Sequence, residues 1–90
     1  MNDAKFYFAN LGADVVRCIS ALQAGNLARY EDSLARSQNT LALLREAKRP
    51  EAYEEGLLLL SGLKYAREDD KLESFRSNVN ALTTSFSPLV

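Results

Sequence analysis

Ala4, Phe8, Leu11, Val15, Cys18 and Leu22 follow one another in alternating steps of four and three, and the run ends at Gly25-Asn26. That spacing puts all six residues on one side of an α-helix. A glycine just past the last member supplies the left-handed residue that commonly closes a helix. A stripe of this kind must be buried against another element. The chain therefore reads as helices packed on helices. The rest of the sequence agrees, with four Gly and two Pro in 90 residues. No alternating apolar–polar run is long enough to mark a strand.

The first helix is expected over residues 3–24, with Asp3 as N-cap or first-turn charge. Val16 and Ile19 widen its stripe, and Asn10, Asp14, Arg17 and Ala21 fall on the other side. Asn26 is a natural N-cap for a second helix reaching residue 47. Its stripe is Leu27, Tyr30, Leu34, Leu41 and Leu44, with Ser37 as a polar member of the same face. Asp32 and Arg36 are spaced to pair on the wet side. So short a Gly-Asn turn predicts an antiparallel helical hairpin.

Pro50 suits the first position of a third helix and pushes Arg49 out of the helical region. Glu51, Glu54 and Glu55 then sit where negative charge complements the helix dipole. This helix is expected to run to about residue 67. Asp70 with Glu73 reads as a capping box opening a fourth helix, whose stripe is Leu72, Phe75, Val79, Leu82 and Phe86. No Gly or Pro separates the last two helices, so the alternative is three helices, the last long and bent. The expected fold is all-α: a small antiparallel helical bundle of four helices. It forms a single domain over residues 1–90, with 85–90 a short C-terminal tail.

Composition removes several chemistries. The chain has no His, no Trp and one Cys. Without His, Ser–His–Asp and Cys–His nucleophile systems cannot be assembled, and zinc sites built on Cys and His are absent. Di-iron bundles need Glu-x-x-His pairs, so the acidic residues near helix starts read as dipole partners rather than metal ligands. Neither catalysis nor a cofactor is expected. A formal net charge of -1 gives no bulk attraction to nucleic acid or anionic membrane. No apolar run exceeds four residues, Leu57 to Leu60 among them, far short of the roughly 20 residues that span a bilayer. The N-terminal residues lack the pattern of a signal peptide. A single Cys fits a reducing compartment, and a soluble, cytoplasmic protein is the expectation.

The four consecutive leucines Leu57 to Leu60 are the sequence anomaly. Successive helical residues lie about 100° apart, so these four cover most of the circumference, more than a surface helix needs. Tyr53, Leu57, Leu60 and Leu63 already make a sufficient stripe, with Ala52, Gly56 and Leu59 beside it. Either the third helix is touched on several sides within the bundle, or its extra face is covered by another chain. The second reading makes Leu58, Tyr65, Leu59 and Gly62 the candidate partner interface. The partner is then the protein itself, as a homodimer, or another helical protein. Gly56 and Gly62 each cost about 1 kcal/mol relative to Ala inside a helix. Close approach by a neighbour is the usual return.

Cys18 lies on the apolar stripe and reads as core. Arg45, Lys48 and Arg49 form the one basic cluster. They suit the end of the second helix electrostatically, with a phosphate contact as the rival reading. Ser37-Gln38-Asn39-Thr40 reads as a wet face, with Ser37 alone near the core. The functional expectation is a non-enzymatic protein–protein interaction or scaffold module that self-associates through the third helix. Two alternatives stand beside it: an accessory or antitoxin-like helical protein of a nucleic-acid-linked system, and a small-ligand carrier using the bundle interior.

Overall fold

The computed structural model describes residues 4–85, with side chains described to Ala81. It is all-helical, a four-helix bundle. The helices are α1 (Ala4–Gln23), α2 (Leu27–Glu46), α3 (Pro50–Glu68) and α4 (Leu72–Ser85). The alternative of three helices is set aside. Asp3 as N-cap, the Leu82 and Phe86 members of the last stripe and the tail beyond Ser85 lie outside the described residues or side chains.

The three corners share one geometry, a three-residue link whose middle residue has positive φ: Gly25 (72°), Lys48 (60°) and Asp70 (58°). At the first, the Asn26 N–H reaches back to Ala21 O at 2.8 Å and the Gly25 N–H to Leu22 O at 3.1 Å. Asn26 then caps α2, its side-chain oxygen accepting the Arg29 N–H at 3.1 Å. At the third, the Lys71 N–H reaches Ala66 O at 2.8 Å. These are the bonds of a left-handed helix closure. Only the first corner uses glycine. Asp70, a residue type that tolerates this conformation, separates α3 from α4 without Gly or Pro. It closes α3 and does not cap α4. The expected capping box is absent, and Glu73 instead accepts a bond from Gln23 Nε2 of α1 at 2.8 Å.

The helices follow one another around the bundle. α1 touches α2, α3 and α4, and α3 likewise touches the other three. Among the described residues, α2 and α4 do not meet. The core is richest on α1, with Phe8, Leu11, Val15, Cys18 and Ile19 buried. Tyr30 and Leu44 join from α2, Leu59 and Leu63 from α3, and Val79 from α4.

Being covered on three sides, α1 has less wet surface than its sequence suggests. Asp14 and Ala21, expected on the polar side, are both buried. Asp14 is tolerated because Arg17 Nη1 donates to its Oδ1 at 2.7 Å. Ser37 is buried as expected, and its hydroxyl donates to Ser33 O at 3.0 Å. Leu27, expected in the α2 stripe, is exposed. No helix among the described residues is long and apolar enough to cross a membrane.

Candidate functional site

The inward residues of α3 are Ala52, Gly56, Leu59, Leu63 and Ala66. Leu63 belongs to the expected stripe, while Ala52, Gly56 and Leu59, expected beside it, take the inward places of Tyr53, Leu57 and Leu60. The small residues lie inward because neighbouring helices come close there. A Cβ on Gly56 would stand 2.8 Å from Leu41 Cδ1 and 2.9 Å from Leu11 Cδ2. One on Gly62 would stand 2.5 Å from Phe75 Cε1. Both glycines thus serve approaches inside the bundle.

That phase decides the fate of the four leucines. Leu59 is 3% exposed and belongs to the core, which corrects its assignment to the interface. Gly62 is corrected likewise, since the Phe75 ring of α4 covers it. Leu57 and Leu58 point away from the core, at 42% and 62% exposure, and Tyr65 stands at 65%. Leu58 and Tyr65 are seven residues apart, hence two turns along one helical face. Leu57 widens that face to a ridge. Large apolar side chains gathered on one face differ from the scattered exposed leucines normal for a monomer.

Two clefts run along the seam between α2 and α3. The first, about 500 Å³, is lined by Tyr30, Leu34, Gln38, Leu60, Leu63, Lys64, Arg67 and Glu68. In it the Arg67 guanidinium stacks over the Tyr30 ring, 4.7 Å from its centre. The second, about 460 Å³, continues from Gln38 past Leu41 and Ala42 to Arg45, Glu46 and Tyr53. This seam carries no motif in the sequence. Tyr30 and Arg67 are 37 residues apart, and only the fold joins them. The nearest sequence signal was the polar interruption at Ser37-Gln38.

The basic cluster does not converge. Arg49 Nε donates to Glu51 Oε1 at 2.8 Å, and this bond holds the Glu51 carboxyl below its ordinary range. Lys48 occupies the left-handed corner, while Arg45 lines the second cleft. Cys18 is buried, and burial pushes its thiol up, outweighing the opposite influence of the neighbouring Ser37 hydroxyl. A buried, protonated thiol is a poor nucleophile. Among the described residues, no group of three His, Cys, Asp or Glu side chains gathers to hold a metal ion. Comparison with known protein families, curated proteins and solved structures finds no match.

Proposed function

We propose that this protein is a non-catalytic interaction module that self-associates through the outward face of α3. The observation that carries the reading is the ridge of Leu57, Leu58 and Tyr65 on the side of α3 opposite the core. Burying one such side chain contributes about 1.5–3 kcal/mol. Each of the three keeps roughly half of its surface to bury, and the sum over two protomers must exceed the entropy lost on association. A two-fold pairing of α3 on α3 uses the same surface on both copies, so it closes and does not propagate. The lone buried thiol supports a cytoplasmic setting.

Sedimentation velocity over a hundredfold range of concentration tests this. The expected result is a concentration-dependent shift from monomer to dimer that Leu58→Glu abolishes while helical circular dichroism is retained. A wild-type protein that stays monomeric at the highest concentration overturns the proposal.

A further inference from the structure

We propose that the α2–α3 cleft binds a free long-chain carboxylate, an anionic amphiphile whose chain lies on Leu34, Leu60 and Leu63 and whose head group meets Lys64 and Arg67. The cleft's volume, about 500 Å³, falls among small-molecule sites, which run from about 300 to 1,000 Å³ and are mostly apolar with a few placed polar groups. Its floor has that character. Leu63 is buried, while Leu34 and Leu60 are half-buried and keep apolar surface facing the opening.

The charged groups of the lining, Lys64, Arg67 and Glu68, follow one another on α3 and favour an anion, while Gln38 adds a neutral polar group from α2. Lys64 and Arg67 both line the cleft, and neither forms an ion pair among the described residues. Arg67 is held by its stack on Tyr30. A cation–π contact uses the face of the guanidinium and leaves its N–H edge able to grip a carboxylate. Glu68 also lines this end. Two cations against one carboxylate leave a net charge of +1 for the ligand head to neutralise.

The site is elongated, which suits a chain better than a compact ring. Gln38 also lines the second cleft, whose walls are Leu41, Ala42 and Tyr53 with Arg45 and Glu46. From Tyr30 to Arg45 the α2 wall runs for about 22 Å at 1.5 Å per residue. Leu58 and Tyr65 do not line the cleft, while Lys64 stands two turns along one helical face from Leu57, so the head-group end borders the ridge assigned to self-association and the titration is run at a concentration where the protein is monomeric.

Calorimetric titration of the full chain with dodecanoate, below its micelle-forming concentration, tests the proposal. Saturable binding is expected, weakening about fourfold for each methylene removed on going to octanoate. Dodecyltrimethylammonium, with the same chain and opposite head charge, is expected to bind at least tenfold more weakly. Lys64 is exposed, so Lys64→Glu leaves the fold intact. It lowers dodecanoate affinity about tenfold and narrows the gap to the cationic amphiphile. Leu60→Gln weakens both ligands. Equal binding of the two head groups overturns the proposal, as does indifference of dodecanoate to Lys64→Glu. So does binding to phosphatidylglycerol vesicles without binding to free dodecanoate, or no binding at all.

Discussion

The carboxylate of Asp14, 3% exposed, takes its charge partner from one turn further along the same helix, Arg17, at 2.7 Å. Arg17 lies at the surface. Its guanidinium therefore keeps most of its hydration while neutralising a group that has lost its own. Arg17→Met removes the counter-charge and leaves the carboxylate buried. We expect a loss of about 1–3 kcal/mol, read as a lower urea midpoint at unchanged slope. Asp14→Asn, which takes away the charge that needs the partner, should cost less than Arg17→Met. The reverse order would show that Asp14 is hydrated in solution.

The corners at Lys48 and Asp70 hold side-chain-bearing residues in a conformation that glycine adopts freely. Lys48→Gly and Asp70→Gly should each stabilise the protein by about 0.5–1 kcal/mol, the relief of left-handed strain less the added freedom of the unfolded chain. Gly25→Ala should destabilise it by about 1–2 kcal/mol. Thermal unfolding of the three variants decides the matter, and a destabilised Lys48→Gly would contradict the shared corner geometry.

Leu58 and Leu59 are adjacent in sequence, yet the first is exposed and the second buried. Leu59→Ala should cost about 2–5 kcal/mol. Leu58→Ala should stay within about 0.5 kcal/mol when unfolding is measured at a concentration too low for association. Equal losses at the two positions would place Leu58 in the core and remove the ridge.

Burial raises the Cys18 thiol above its ordinary 9.0, so the unfolded chain releases this proton at lower pH than the folded one does. Stability is then unaffected below about pH 8 and falls as pH rises through the ordinary thiol range toward the folded value. The difference between wild type and Cys18→Ala should show this decline above pH 9, the variant lacking it. A parallel pair of profiles would mean that the thiol is solvated in the fold.

The architecture was largely legible because its signals are local. The α1 stripe, the Gly25-Asn26 closure and Pro50 at the start of α3 each depend on residues within a turn or two. The phase of α3 was not legible. Hydrophobicity alone favoured a stripe through Tyr53, Leu57 and Leu60, whereas the fold turns the small residues Ala52, Gly56 and Ala66 inward, Gly56 admitting Leu11, Leu41 and Leu44. Which leucine is spare depends on how closely other helices approach, a non-local property. The same limit hid the burial of Asp14 and the Arg67–Tyr30 stack. The capping box failed for a different reason: Asp70 can serve as a cap or as a left-handed closure, and its spacing to Glu73 does not distinguish the two.

Among the described residues α2 and α4 do not touch, so the two seams of α3 communicate only through α1 and α3 themselves. A guest seated between α2 and α3 lies apart from the Gly62–Phe75 approach and from the Arg76–Ser20 bond of 2.6 Å that ties α4 to α1. Its arrival should therefore slow amide-proton exchange in α2 and α3 more than in α4.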